Sequence, residues 1–285
     1  MAITLEPKKV TIILGTIIIF LVLANIVGII STYYFGQDHV FGIVPVPLFD
    51  LDLESNIPTW YSSLAILLAS ILLFVIARAR KRQQKADYLY WLGLALIFLL
   101  FSCDEIACFH EKLSKPIRNA IGTSGPLFFA WVIPYGMLAI LIALAYLRFW
   151  LKLPGRVRTL VFCGGLLYVG GGLGLELIGA NYFALHGGQR DLIYALITTG
   201  EETSEMVGIL IFNYGLMTYI DLELSDFHLR VSSRQRIRDC LDLSRIKAFH
   251  SESSSNDGDS HPQVPRDSFP LDSPSPKSQH VSQNR

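Results

Sequence analysis

Two short stretches place acidic side chains in or beside long apolar runs of this 285-residue chain. Residues 101–112 read FSCDEIACFHEK and hold three carboxyl groups and an imidazole, and residues 198–208 read TTGEETSEMVG and hold three more carboxyl groups. Another acid lies in a glycine-rich run between them. Carboxylate and imidazole groups bind divalent cations and exchange protons. The candidate site residues are therefore Asp104, Glu105, His110, Glu111, Glu176, Glu201, Glu202 and Glu205.

The negative charge of seven carboxyl groups in or beside apolar runs must be neutralised. One charged carboxylate at the centre of a bilayer costs about 2.5–3.5 kcal/mol on insertion scales, and the apolar cores of these runs contain no Lys or Arg. A bound divalent metal cation is the candidate cofactor, with protons or basic groups from nearby loops as the alternatives. The first-choice ligands are Asp104, Glu111, Glu202 and Glu205, and the other four are ligands or their hydrogen-bond partners.

The elements that must position these residues are transmembrane helices. Hydrophobic residues make up 51% of the chain, and a spanning helix needs about 20 mostly apolar residues. Six stretches qualify, and they predict an all-α fold, a six-helix transmembrane bundle. They cover approximately residues 10–34, 59–77, 88–111, 127–149, 157–185 and 191–219.

Basic residues predict the orientation of the bundle. Lys and Arg cluster before the first span, after the second, between the fourth and fifth, and after the sixth. With six spans these segments share one side, so both termini are expected in the cytoplasm. The basic segment from Lys112 to Arg118 is the main exception. The chain is predicted to be a multi-pass protein of the cell inner (plasma) membrane, with the lipid bilayer as its partner.

This orientation brings all seven acids to a similar depth, in the outer half of the bundle. At about 100° per residue, Asp104, Cys108 and Glu111 fall within roughly 60° on one helix. Glu201 and Glu202 lie about 100° apart, with Glu205 between them. Like charges at such spacings repel each other, which favours a shared cation or proton.

The fifth span has the sequence CGGLLYVGGGLGLELIG before and around its acid. Its glycines, including the GxxxG of Gly170 and Gly174, indicate close helix packing and a homo-oligomer through this helix. A glycine-interrupted helix beside a buried acid is also typical of discontinuous transporter helices. The loop from about residue 35 to 58 is expected either to lie at the membrane interface or to cover the outer opening of the bundle as a lid.

The domain boundaries follow composition. Residues 1–222 form the six-span domain, 223–250 a cytoplasmic basic amphipathic segment, and 251–285 a disordered tail that is rich in Ser, Pro and Asp. The basic loops are positive-inside signals, so no nucleic-acid partner is expected. The glycines of the fifth span do not follow a strand, which excludes a dinucleotide fingerprint.

The two acidic motifs carry a family resemblance. The chain resembles uncharacterised bacterial polytopic membrane proteins that pair Asp-Glu-x4-His-Glu with a later Glu-Glu-x2-Glu-Met-x-Gly. Here these motifs are Asp104 to Glu111 and Glu201 to Gly208. The resemblance covers the six-span region, supports the site residues, and implies no activity.

Three functions remain open at this stage. The first is cation- or proton-coupled transport through a carboxylate and histidine site in the outer half of the bundle. The second is a membrane-embedded, metal-dependent hydrolase acting on a lipid or peptide, with Glu105 or Glu202 as general base. The third is a structural membrane protein without a bound cation. Whether the chain is an enzyme is left undecided.

Overall fold

The fold was taken from a computed structural model, which describes residues 6–36, 38–40 and 43–224. Helices dominate this part of the chain. They are α1 (Pro7–Phe35), α2 (Ile57–Arg82), α3 (Tyr88–Ala107), α4 (Phe109–Ile121), α5 (Val132–Trp150), α6 (Gly155–Val169), α7 (Glu176–Leu185) and α8 (Leu192–Glu223). Short 3₁₀ turns cover Val46–Leu48 and Gly125–Leu127, a π-helical turn covers Gly170–Leu175, and β1 (His39–Val40) pairs antiparallel with β2 (Val44–Pro45).

Five helical segments are long and apolar enough to cross a membrane. They are α1, α2, α3, α5 and the continuous stretch Gly155–Leu185. These match the first five predicted spans and confirm a multi-pass membrane protein. The sixth predicted span corresponds to α8, a helix of 32 residues. Because its middle carries Glu201, Glu202 and Glu205, α8 is less uniformly apolar than the other five.

One half of the bundle is tightly packed. Helix α2 lies along α3 and α8, and α1 also packs on α8. Polar side chains join the helices: Ser63 Oγ donates to Ser102 O at 2.8 Å, and Asn213 Nδ2 donates to Ala65 O at 2.9 Å. Asn25 Nδ2 also donates to Thr199 Oγ1 at 2.8 Å. Interhelical hydrogen bonds of this kind hold a bundle together where the hydrophobic effect cannot.

Helix α5 is held off its neighbours by large aromatic side chains. The Tyr146 ring meets the Tyr90 ring at 5.7 Å between centroids, and the Phe149 ring meets the Trp91 ring at 4.9 Å. At the other end Tyr135 reaches α3 through its hydroxyl group. Long side chains, rather than close backbone contacts, connect this helix to the bundle. The space they leave is the cavity described below.

The prediction of one helix from residue 88 to 111 is wrong. Helix α3 ends at Ala107, and Cys108 adopts a left-handed conformation with φ 53° and ψ 42°. A new helix, α4, starts at Phe109. The Asp104 carboxylate accepts the backbone N–H of His110 at 3.2 Å, so it satisfies a free donor in the first turn of α4. Asp104 and Glu111 therefore do not share the face of a single helix.

Helix α4 has two different faces. Phe109, Leu113 and Ile121 are exposed apolar residues on one side. Ser114 and Arg118 lie on the side that lines the cavity. Exposed apolar groups opposite a polar face are typical of a helix at the membrane surface. The basic exception to the charge pattern falls on this helix, and two of its basic residues, Lys115 and Arg118, line the cavity that the acids also line.

The glycines of the fifth span allow close contact with α8. A Cβ at Gly164 would lie 2.7 Å from Phe212 N, and a Cβ at Gly208 would lie 2.5 Å from Tyr168 N. Gly170 and Gly174, the predicted GxxxG pair, face open space. The tight packing is thus within the chain, and a homo-oligomer through Gly170 and Gly174 stays a prediction. The amphipathic segment and the tail predicted beyond residue 222 lie almost entirely outside the described residues.

Candidate functional site

Asp104, near the end of α3, holds the His110 ring in place. The ring Nδ1 lies 3.2 Å from Asp104 Oδ2, and Tyr135 OH donates to the same oxygen at 2.8 Å. The ring Nε2 lies 3.8 Å from Glu54 Oε1. Burial lowers the pKa of the imidazole, but the hydrogen bond to Asp104 and the charges of Asp104 and Glu54 outweigh it, so the pKa of His110 is raised. The site therefore stabilises the imidazolium form relative to that of a free imidazole.

A short loop brings in two acids that the sequence analysis did not assign to the site. Asp52 and Glu54 lie between the 3₁₀ turn and α2. The Asn56 side chain fixes the loop, because its Oδ1 accepts from Thr59 N at 3.2 Å and its Nδ2 donates to Pro47 O at 3.0 Å. The signal was present: this loop has acids but no Lys or Arg, and it lies on the predicted side of the acidic motifs.

Asp52 forms an ion pair with Arg190, which lies just before α8. Burial raises the pKa of Asp52 to about 6, although Arg190 acts in the opposite direction. Burial also raises the pKa of Glu54, against the lowering effect of His110. Since Tyr33 OH donates to Arg190 O at 2.7 Å, the loop is tied to both α1 and the start of α8.

Glu176 and Glu201 form a carboxyl pair between α7 and α8. Their side chains approach each other, and two facing carboxyl groups are most stable when they share a proton. Trp131 Nε1 donates to Glu176 Oε1 at 2.9 Å. Both carboxyl groups are buried, with Glu176 9% and Glu201 6% exposed. This pair can hold one proton between two helices.

The remaining acids line the space between this pair and His110. Glu105 follows Asp104 on α3, and Glu202 and Glu205 extend from α8. Glu205 lies directly over the π-helical turn, because a Cβ added to Gly172 would collide with its Oε1. Glu111, on the first turn of α4, is exposed.

These residues line one cavity of about 980 Å³, here called the acidic cavity. All eight residues predicted from the sequence belong to its wall, so the fold brings the two motifs and Glu176 to one cavity. Nine carboxyl groups line it, those of Asp52, Glu54, Asp104, Glu105, Glu111, Glu176, Glu201, Glu202 and Glu205. Three basic side chains line it too, Lys115, Arg118 and Arg190. Aromatic and aliphatic residues line the rest, among them Trp91, Phe98, Tyr146, Phe149, Trp150, Phe212 and Leu216.

The acids are spread along the wall instead of converging on one point. Within residues 6–36, 38–40 and 43–224, no three His, Cys, Asp or Glu side chains form a group that could hold a metal ion. Metal coordination needs several ligand atoms at about 2.0–2.6 Å from one centre. The side chains as placed do not fit a chelated metal, and the predicted ligand roles stay a prediction.

The fold and the cavity define a multi-pass helical membrane protein with acidic residues gathered inside its bundle. The chain belongs to the family described as Domain of unknown function (DUF8692), which matches residues 11–220. That range contains every residue of the acidic cavity. No curated protein and no solved structure matches the chain.

Proposed function

We propose that the chain is a cation- or proton-coupled membrane transporter and that the acidic cavity is its coupling site. The observation that carries this proposal is the meeting of eight sequence-predicted residues from α3, α4, α7 and α8 in one cavity. Acids inside membrane bundles are rare and costly, and they commonly mark ion pathways and proton relays. An excess of carboxyl groups over basic groups attracts a cation.

Two groups of titratable side chains in the cavity could exchange protons. The Glu176–Glu201 pair could share one proton, and Trp131 Nε1 donates a hydrogen bond to Glu176. The His110 imidazole lies between Asp104 and Glu54, and its ring centroid is 4.9 Å from that of Trp131. Loading a cation would displace a proton from such groups, because the positive charge favours their deprotonated forms. This exchange is the basis of coupling in the proposed mechanism.

The π-helical turn supports movement at the same place. Gly170–Leu175 interrupts the fifth span one residue before Glu176, and π-helical turns inside α-helices are frequent at functional sites. Gly172 makes room for the Glu205 carboxylate. A shift of this turn would therefore change the position of Glu205 and Glu176 together.

Proteoliposomes containing a pH-sensitive dye test this proposal. We expect proton flux above that of empty liposomes under an imposed membrane potential and pH gradient. Glu201→Gln should lower the flux at least tenfold. Glu223→Gln is the matched control, since it makes the same change at the exposed end of α8, away from the cavity. Equal flux in empty and protein-containing liposomes, or in Glu201→Gln and the unmodified protein, would overturn the proposal.

A membrane-embedded hydrolase acting on a lipid or peptide is the second candidate. The imidazole of His110 favours it, because Asp104 orients the ring as it would orient a general base. The base would be the neutral form of the His110 imidazole, with Asp104 accepting a hydrogen bond from its Nδ1. Turnover of lipid-ester or peptide substrates that disappears in His110→Gln, without any proton flux, would favour hydrolysis over transport.

A further inference from the structure

We propose that the acidic cavity binds a long-chain amphiphile with a protonated amino head group. The head group lies among the acids, and the hydrocarbon chain of the amphiphile extends along the aromatic part of the wall. This inference rests on the proposed function, because it names the cation that enters the same site. Four features of the cavity support it.

The first feature is length. Asp104 and Trp91 both line the cavity and lie on α3, thirteen residues apart. At 1.5 Å per residue they are separated by about 20 Å along the helix axis. The hydrocarbon core of a bilayer is about 30 Å thick, so one leaflet occupies roughly half of that. The cavity is long enough for one chain of a membrane lipid.

The second feature is the contrast between the two ends. Near Trp91 the wall consists of large apolar side chains, including Phe149 and Leu216. Phe98 and Phe212 add a stacked pair with centroids 4.7 Å apart. Such a wall favours methylene groups over water. A small inorganic cation would gain nothing from this half of the cavity, whereas an amphiphile fills both halves.

The third feature is how the acids are distributed. Separate carboxyl groups that do not converge suit an ammonium group, which has three N–H donors pointing in different directions. Two of the three basic side chains in the wall already have partners: Arg190 pairs with Asp52, and Arg118 donates to Phe128 O at 3.2 Å and lies 4.1 Å from the Phe128 ring centroid. The third, Lys115, is exposed. A head group with phosphate or carboxylate would meet the repulsion of the acids.

The fourth feature is a buried hydroxyl group without a partner. Ser114 is 8% exposed and lines the cavity one turn after His110, and its Oγ has no hydrogen-bond partner. Buried polar groups in proteins are nearly always bonded, and this oxygen lacks a partner, which the described residues do not supply. Trp131 and Tyr135 line the same region with rings 5.4 Å apart, and aromatic faces attract ammonium groups.

Equilibrium binding to the purified full-length protein in detergent tests the inference. The probes are radiolabelled hexadecylamine, hexadecanol and hexadecanoic acid. We expect the amine to bind at least tenfold more tightly than the alcohol, and the acid to bind least. The double change Glu202→Gln and Glu205→Gln should weaken amine binding at least tenfold without weakening alcohol binding, whereas Glu223→Gln should change neither.

A separate variant tests the apolar half of the cavity, which would hold the hydrocarbon chain of the amphiphile. Gly165 lines the cavity, and a Cβ there would meet no atom within 4 Å, so Gly165→Leu should fill the chain region without a clash. It should weaken hexadecylamine binding at least fivefold and leave butylamine unaffected. Gly155→Leu is the control, because Gly155 is also open but lies off the cavity.

Three results would overturn the inference: the alcohol or acid binding as tightly as the amine, unchanged amine binding in the double variant, or equal effects of Gly165→Leu and Gly155→Leu. If the double variant does not fold, the comparison of the three probes on the unmodified protein decides alone. Proton flux measured with and without added amine distinguishes the two proposals. Flux without amine binding overturns only the ligand, and amine binding without flux overturns only the transport function.

Discussion

The Asp104 carboxylate bonds both the first turn of the helix that carries His110 and the His110 ring. One carboxylate oxygen accepts the His110 backbone N–H at 3.2 Å, and the other lies 3.2 Å from the ring Nδ1. The same second oxygen accepts from Tyr135 OH at 2.8 Å. The break between α3 and α4 and the geometry of the site therefore depend on one side chain.

Two different substitutions at Asp104 should separate its hydrogen bond to the α4 backbone from its effect on the His110 ring. Asn keeps an oxygen that can cap α4, so Asp104→Asn should preserve folding and lower the pKa of His110 by removing the charge that raises it. The imidazolium form would then disappear at a lower pH than in the unmodified protein. NMR of labelled histidines, with the His110 signal identified by its loss in His110→Gln, measures this shift.

Asp104→Ala removes the cap as well as the charge. Loss of a side chain that accepts a free backbone N–H in the first turn of a helix, as an N-cap does, costs about 0.5–2 kcal/mol, so thermal unfolding in detergent should occur at a lower temperature than in Asp104→Asn. Equal stability of the Asn and Ala variants would contradict the capping role, and an unchanged His110 titration in Asp104→Asn would contradict the electrostatic one.

Asp52 should make the stability of the bundle pH-dependent. Burial raises its pKa to about 6, above its value in an unfolded chain of about 3.9. A raised carboxyl pKa stabilises the folded state fully below about pH 4, and this contribution is lost as the pH rises through 6. The unfolding temperature should therefore fall over this range relative to Asp52→Asn, which cannot titrate.

Arg190 opposes that effect, since it lowers the pKa of Asp52. Arg190→Gln should move the loss of stability to higher pH, measured as unfolding temperature in buffers from pH 4 to 8. Because half of the Arg190 side chain is exposed, the pair itself contributes at most about 1 kcal/mol. A difference between the protein and Asp52→Asn that stays constant with pH would exclude Asp52 as the titrating group.

The crossing of α6 and α8 should not tolerate a methyl group. A Cβ at Gly208 would lie 2.5 Å from Tyr168 N and 2.8 Å from Gly164 O, and backbone atoms cannot move aside cheaply. Gly208→Ala should destabilise the protein by about 1–3 kcal/mol or more, measured by thermal unfolding. Gly165→Ala is the matched change on the partner helix, where the space is open, and it should be neutral. Similar unfolding temperatures for the two variants would refute the close crossing.

A substitution at Gly172 should impair the function of the site more than the stability of the fold. Gly172→Ala places a methyl group against Glu205 Oε1, and a flexible carboxylate end can move away. We expect near-normal unfolding but at least a threefold loss of proton flux in proteoliposomes. Gly174→Ala, in the same π-helical turn, faces open space and should keep its flux. If both variants behave alike, Glu205 has no special position over Gly172.

The sequence predicted the spans well because their signal is local. About 20 consecutive apolar residues are sufficient to identify a membrane helix, and α1, α2, α3, α5 and Gly155–Leu185 all follow that rule. Basic loops then placed the acids at one depth, and the shared cavity agrees with that placement. The membrane itself and the orientation of the termini remain predictions.

The break at Cys108 was not foreseeable from periodicity. A left-handed residue other than Gly gives little sequence signal, and the stabilising contact runs from Asp104 across the break to His110. Asp52 and Glu54 were missed for a similar reason, since their approach to His110 and Arg190 depends on the folding of a loop between two helices. The helix break at Cys108 and the position of the loop that carries Asp52 and Glu54 both depend on contacts between segments that are distant in the sequence.

The central claim is that the acids of α3 and α8 act as one site, and a double-mutant cycle on proton flux tests it most directly. Asp104→Asn, Glu201→Gln and the double variant are compared in the same proteoliposomes, with Glu223→Gln as control. Groups that act as one unit have non-additive effects, so the double variant should lose no more flux than the more damaging single change. Independent losses that multiply in the double variant, or an equal loss in Glu223→Gln, would contradict the claim.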